Sequence, residues 1–219
     1  MVIPEIANSI LDKITLEATS KRYIKEWVFR NLSYTFERNQ AYVILGSNGS
    51  GKSTLLQVAA SVLSPSTGKV SYYLNGEELP EEARYKHISL ATPYMELPEE
   101  FTLSKVIDFH LKFKSFYSGI DKEKFIEICY LTEAKDKIVR NFSSGMKQRL
   151  KLGLAILSES STLFLDEPSS NLDEKGIEWF GELIEQYKED RIIIVCSNNI
   201  VKEYFFCQQQ VQIEDFKNR

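Results

Sequence analysis

Apolar residues step by two at Ile14, Leu16 and Ala18, and again at Leu32, Tyr34 and Phe36, which is the period of half-buried strands. Ala41-Tyr-Val-Ile-Leu45 is a short unbroken apolar run, the pattern of a strand covered on both faces. After a glycine-rich turn, Leu55, Val58, Ala59, Val62 and Leu63 recur at helical spacing, and Ser64-Pro-Ser-Thr-Gly68 stops that helix. Lys69 to Leu74, followed by Asn75-Gly76, predicts a strand entering a hairpin turn. From about Thr102 to Leu157 the period becomes helical. Val106, Ile107, His110 and Leu111 form one face, Phe109, Phe113 and Phe116 another, and Phe125, Ile128 and Cys129 mark a third short helix. The phenylalanine stripe reads as core packing in a small helical subdomain, in preference to a socket for a partner's helix. Leu163-Phe-Leu165 and Ile192 to Cys196 are again buried strands, with Ile177, Phe180, Ile184 and Tyr187 marking an amphipathic helix between them. Short apolar strands alternating with helices predict an α/β core built on a parallel sheet.

Composition narrows the class. The 219 residues are 43% hydrophobic and 26% charged, ordinary values that exclude disorder and fibrous repeats. Lys and Arg number 27 against 31 for Asp and Glu, and a net charge of −4 gives no general pull toward nucleic acid or anionic lipid. No apolar run approaches the roughly 18 to 20 residues of a membrane-spanning helix. Met1 to Ile10 has neither the basic start nor the apolar stretch of a signal peptide. Cys129, Cys196 and Cys207 are odd in number and widely spaced, so they read as reduced thiols and not as disulfides or a zinc site. His87 and His110 are isolated and read as packing or surface residues. The expectation is a cytoplasmic domain.

The chemistry begins at Gly46-Ser-Asn-Gly-Ser-Gly51-Lys52-Ser53, which fits the phosphate-binding loop at every fixed position, with a buried strand before it and a helix after it. Backbone N–H groups turn inward around a polyphosphate there, and glycines supply conformations and close approach that a Cβ would block. The candidate nucleotide-binding residues are Gly46, Ser47, Asn48, Gly49, Ser50, Gly51, Lys52, Ser53 and Thr54. The helix that follows points its N-terminal amides at the phosphates. Lys52 reaches the β- and γ-phosphates, and the Ser53 hydroxyl is placed to ligate Mg²⁺. Thr162-Leu-Phe-Leu-Asp166-Glu167 is the natural second half, an apolar strand delivering carboxylates at its C-terminal end. Asp166 is a candidate to hold Mg²⁺ through water, and Glu167 a candidate base for the attacking water. Between these segments, Ser143 or Ser144 can cap a helix carrying Leu150, Leu152, Leu154, Ala155 and Leu157. The capped end offers the Ser143 hydroxyl and Gly145 N–H to an anion.

Asn141-Phe-Ser143-Ser144-Gly145-Met146-Lys-Gln-Arg-Leu150 resembles the signature segment of the ATP-binding domain of the ABC transporter family, with the signature's serine and second glycine retained as Ser143 and Gly145. Asp166-Glu-Pro-Ser-Ser-Asn-Leu-Asp173 resembles the family's run from the second phosphate motif into the loop that crosses the dimer interface. Ser20-Lys-Arg-Tyr23 resembles the segment whose aromatic residue stacks on adenine. Motif order matches over roughly residues 12 to 213. The resemblance implies a P-loop NTPase of the α/β class with a mixed sheet, an antiparallel β edge subdomain and an inserted α-helical subdomain. The expected parts are residues 1–91, with the β edge and first core segment, 92–157, the helical part, and 158–219, the second core segment. It further implies that ATP and Mg²⁺ are bound and that Ser143, Ser144, Gly145 and Asp173 face the triphosphate held by a second subunit. Homodimer and heterodimer stay open. Integral membrane transporter subunits are the implied further partners, nucleic acid is not, and the implied location is the inner face of the membrane.

Two positions depart from the family pattern. The glutamine that reaches Mg²⁺ and the attacking water falls on Pro93, for which Glu96 or Tyr94 are the nearby substitutes. The switch histidine falls on Asn198, which donates a neutral hydrogen bond but carries no proton. The leading expectation is an energy-coupling ATPase with slow turnover, with Glu167, Lys52 and Asn198 as its catalytic residues. The alternative is a nucleotide-dependent regulatory or structural module with little hydrolysis. A DNA-maintenance ATPase fits poorly, since the intervening helical segment is short and lacks sustained heptads.

Overall fold

The computed structural model describes residues 10–217, so the reading of Met1 to Ile10 as no signal peptide lies almost wholly outside the described residues. Among the described residues, nine strands form two sheets. The first is antiparallel, in the order β2-β1-β4-β5, from β1 (Lys13–Tyr23), β2 (Glu26–Glu37), β4 (Thr67–Leu74) and β5 (Glu77–Glu78). The second is parallel throughout, in the order β6-β7-β8-β3-β9, from β6 (Ile88–Ala91), β7 (Thr162–Asp166), β8 (Ile192–Ser197), β3 (Ala41–Leu45) and β9 (Gln209–Gln212). The parallel and antiparallel pairings therefore sit in separate sheets of one mixed α/β architecture.

The unbroken apolar runs have the physical cause that the sequence suggests. Ala41, Val43 and Leu45 of β3, with Leu163 and Leu165 of β7 and Ile193 and Val195 of β8, face one apolar core. Tyr42, Ile44, Phe164, Ile192, Ile194 and Cys196 face a second. Each central strand is buried on both faces, so both phases of its period are apolar. The first core holds α2 (Leu103–His110), α3 (Lys122–Ile128), α4 (Ser144–Ile156) and α5 (Glu174–Tyr187). The second lies beneath the antiparallel sheet and α1 (Lys52–Ala59). A short α6 (Val201–Tyr204) follows β8.

Several sequence expectations are corrected. Ala18 is exposed with φ 43°, because a bulge between Leu16 and Thr19 flips the phase and turns Thr19 and Ser20 inward. The helix of α1 stops at Ala59, since Ser61 turns left-handed at φ 55°, and Val62 is 61% exposed. α2 ends at His110, so Leu111 is exposed and Phe113 and Phe116 are not helical. Phe116 is buried, but Phe109 and Phe113 are 45% and 64% exposed, so two of the three rings are surface rings and not core. The Asn75-Gly76 turn joins β4 to β5 with φ 53° and 82°, as its residue types require. Cys129, Cys196 and Cys207 are all free.

Candidate functional site

The loop 46–51 leaves the C-terminal end of β3 and enters α1. Gly51 caps α1 at φ 104°, and a Cβ there would lie 2.2 Å from Val28 Cγ1 of β2, so backbone conformation and contact both exclude a larger residue. Gly46 is as tightly held, with a Cβ meeting Ile213, Ser50 and Glu214 within 2.8 Å. The Glu214 carboxylate accepts from the Ser47 N–H at 2.9 Å, and that hydrogen bond holds its pKa below the ordinary carboxylate value. Gly49 has φ 74°, and a Cβ there would meet nothing within 4 Å, so its glycine requirement is one of backbone conformation alone.

Lys52 is buried and all its donors are directed inward. Its Nζ donates to the carbonyls of Gly46 at 2.9 Å and Ser47 at 3.0 Å, and to Asn198 Oδ1 at 2.7 Å. Asn198 Nδ2 in turn donates to Glu167 Oε1 at 2.7 Å. One carboxamide thus joins the loop lysine to the strand-end carboxylate, a link between residues brought together by the adjacency of β3, β7 and β8. Glu167 adopts φ 46°, a left-handed conformation that costs about 1–3 kcal/mol for a residue with a side chain. Its N–H donates to the Cys196 carbonyl at 3.0 Å, which fixes the strained residue against β8.

Asp166 is 2% exposed, and neither carboxylate oxygen has a hydrogen-bond partner among the described residues. Burial pushes its pKa up; Ser53 and Lys52 oppose the shift, and the carboxylates of Glu167 and Glu203 add to it. An unpartnered buried carboxylate beside the Ser53 hydroxyl is a hard oxygen donor set that fits Mg²⁺.

The other expected residues fall in two places. Tyr23 lies at the tip of the β1–β2 hairpin, 50% exposed, opposite Glu26, which is two positions before the Val28 that packs on Gly51. Ser143 caps α4 by accepting from Met146 N–H at 3.2 Å, and Ser144 is the first helical residue, which settles the choice of cap. Gly145 packs against the Asn171 carbonyl, 3.2 Å from where a Cβ would stand. Asp173 caps α5 through Gly176 N–H at 2.8 Å and pairs with Arg149 of α4 at 3.4 Å. The starts of α4 and α5 are joined by Gly145 against Asn171 and by Arg149 with Asp173, and no hydrogen bond runs from Ser143, Ser144, Gly145 or Asp173 to residues 46–54 among the described residues. At Pro93 only the backbone carbonyl is engaged, accepting from Lys151 Nζ at 2.8 Å. Tyr94 and Glu96 are both exposed and make no hydrogen bond to the site among the described residues. Val28, Gln148, Arg149, Glu203 and Glu214 were not legible as site residues. A cavity of about 550 Å³ lies at the opposite ends of the parallel strands, beside His87 and Arg191.

The family model described as ABC transporter matches residues 29–170. The chain belongs to the ABC transporter family. Within it, the chain is 32% identical over 182 residues to the uncharacterized ABC transporter ATP-binding protein YybJ of Bacillus subtilis (strain 168), covering 82% of this chain and 83% of that protein. It is 26% identical over 193 residues to the lantibiotic transport ATP-binding protein SrtF of Streptococcus pyogenes, covering 87% and 81%. The fold matches the ATP-binding subunit of an ABC transporter at TM-score 0.77 and 22% identity, covering 91% of this chain and 85% of that one. It also matches the bacterial ABC transporter cassette MJ0796, solved as a dimer, at TM-score 0.77 and 19% identity, covering 91% and 94%. ATP binding is the family's property, and no helix among the described residues is long and apolar enough to cross a membrane.

Proposed function

We propose that this chain is the ATP-binding and ATP-hydrolysing subunit that couples energy to a membrane transporter, working slowly and as a nucleotide-sandwich dimer. The observation that carries the reading is the hydrogen-bonded chain from Lys52 through Asn198 to Glu167, with the unpartnered Asp166 beside it. A triphosphate entering the loop of Gly46 to Thr54 competes for Lys52, whose resting partners are neutral oxygens. Tyr23 stacks on the adenine. Ser53 and Asp166 hold Mg²⁺, which when bound supplies positive charge to the phosphate oxygens. Glu167 orients the attacking water and takes its proton, and Asn198 donates a neutral hydrogen bond toward the γ-phosphate.

Ser143, Ser144, Gly145 and Asp173 act on the nucleotide of a second ATP-binding subunit, identical or related. Moving an open–closed equilibrium from 1:99 to 99:1 takes about 5.5 kcal/mol. Hydrogen bonds to charged phosphates contribute roughly 1.5–3 kcal/mol each, so two or three cross-subunit contacts suffice. The membrane partner's helix docks in a groove of about 340 Å³ lined by Leu90, Met95, Val106, Phe109, Phe113 and Leu154, which gives the exposed rings an occupant. On this reading the chain works at the inner face of the membrane, and a net charge of −4 argues against nucleic acid as a partner.

Slow turnover follows from Pro93, which has no side-chain amide, and Asn198, which carries no charge; each 1.36 kcal/mol lost from the transition state costs tenfold in rate. Steady-state ATPase with the membrane partner present should stay under about 1 s⁻¹, the low end for typical enzymes. Glu167→Gln should abolish that turnover, retain ATP and give a stable ATP-dependent dimer. Faster turnover sinks the slow-rate reading, and failure of wild-type protein to bind ATP with Mg²⁺ sinks the whole assignment. The regulatory-module reading is favoured by the same Pro93 and Asn198, and it wins if ATP drives dimerisation of the wild type with no hydrolysis.

A further inference from the structure

Glu203 of α6 is 1% exposed, and no Lys, Arg or His pairs with it among the described residues. Burying a carboxylate without a cation is costly unless hydrogen bonds replace its water. Here three donors do so. Oε1 accepts from the Ser169 N–H at 3.2 Å and the Ser169 hydroxyl at 2.5 Å, and Oε2 accepts from the Ser197 hydroxyl. Ser197 Oγ also accepts from the Ile200 N–H at 3.1 Å, which ties the start of the α6 turn to the same point.

The two serines belong to different parts of the site. Ser169 opens the loop that ends at Asp173, and that loop is gripped from its other side by Gln148 of α4, whose Nε2 donates to the Pro168 carbonyl at 2.9 Å. Ser197 precedes Asn198, whose carboxamide joins Lys52 to Glu167. A single buried side chain therefore fastens the loop 168–173 to Ser197, the residue before the one that reaches both halves of the phosphate site. An apolar side chain would fill the same volume with no desolvation cost, but it would leave the loop and the strand end unconnected.

We propose that Glu203 is a positioning residue: it transmits the placement of the loop 168–173, set when a second subunit packs on it, to Asn198, and so couples dimer closure to hydrolysis. This rests on the nucleotide-sandwich reading above. Glu203 bonds to Ser169 and Ser197 and to no residue of the loop 46–54 among the described residues, so its loss leaves ATP binding intact and slows only the chemical step.

The test compares full-length wild type with Glu203→Gln, Ser169→Ala and the double variant. Mg-ATP affinity is read by calorimetry and hydrolysis by single turnover with protein in excess, which registers even a slow rate. For Glu203→Gln, the dissociation constant should stay within about twofold while the single-turnover rate falls about 10- to 100-fold, the worth of a hydrogen bond to a charged group. Ser169→Ala should fall in the same direction, and the double variant should be no slower than Glu203→Gln alone, because both cut the same tie. An unchanged rate in a folded Glu203→Gln protein overturns the proposal, as does a fall in affinity that tracks the fall in rate. If Glu203→Gln does not fold, Ser169→Ala and Ser197→Ala decide, and an unchanged rate in both overturns it. Wild-type protein that neither binds nor cleaves ATP is a failure of the nucleotide reading itself, visible before any variant is made.

Discussion

At the scale of single residues, Asn198 carries the largest consequence. A carboxamide accepts through oxygen and donates through nitrogen at once, which is why it can hold Lys52 and Glu167 together without a change of protonation. Asn198→Leu removes both bonds, and hydrolysis should fall about 10- to 100-fold with ATP affinity little changed. Asn198→His should instead raise the rate and introduce a new step in its pH profile near ~6.5, where an imidazole titrates and an amide does not. Rate measurements from pH 5.5 to 8 on both proteins check this; superimposable profiles would show that position 198 does not face the reacting phosphate. Glu167 belongs to the same scale, because its left-handed backbone is strain that the Cys196 carbonyl holds in place at a reactive position.

At the scale of elements, α4 has two jobs that a single residue joins. Ser143 satisfies an orphan amide at the helix start, and in the proposed dimer the same hydroxyl faces a phosphate. Two variants separate these jobs. Ser143→Ala should cost about 1 kcal/mol, lowering the melting temperature by about 2–4 °C. Ser143→Asp keeps the cap and should restore the melting temperature, yet its negative charge repels a triphosphate and should block ATP-driven dimerisation. Thermal melts and size-exclusion runs with ATP on both variants check the pair; dimerisation of Ser143→Asp equal to wild type would leave Ser143 a helix cap alone. The exposed rings belong here too: Phe109 sits on the face of α2 away from the buried Leu103, Val106 and Ile107, and Phe113 lies beyond the helix end.

At the scale of the whole molecule, the far ends of the parallel strands carry a group of buried bases. Arg191 donates to the carbonyls of Ile156, Ser158, Ser160 and Tyr187, closing the C-terminal ends of α4 and α5, and burial holds its pKa down to about 10. Nearby, burial first and then Lys114 push His110 down to about 4. Unfolded, that imidazole takes a proton near ~6.5, so between these values the unfolded chain binds the proton and the folded chain does not. Stability is therefore greatest above pH 6.5 and is lost as pH falls toward 4, with His110 alone costing about 2 kcal/mol between pH 7 and pH 5. His87 shifts in the same direction for the same main cause. Urea unfolding at the two pH values, for wild type and His110→Phe, should show the variant losing about 2 kcal/mol less. Equal losses would mean that His110 is protonated in the folded state.

The sequence by itself determined what short stretches can encode. Paired faces of apolar residues specified the buried strands, glycine spacing specified the phosphate loop around Lys52, and the run into Asp166-Glu167 placed the carboxylates at a strand end. Those features depend on local backbone geometry and on period, which neighbours along the chain settle. The bulge that exposes Ala18 and the early stop of α2 were not legible, because each is decided by what packs across from it. The same holds for Val28 against Gly51, for the Lys52–Asn198–Glu167 chain, and for Glu203 between Ser169 and Ser197. Lys52, Glu167 and Asn198 lie far apart in sequence and meet through the order β7-β8-β3 in the parallel sheet, whereas Val28 reaches Gly51 from the antiparallel sheet. Hydrogen bonds act over about 3 Å and are directional, so their partners are fixed by tertiary placement and not by pattern.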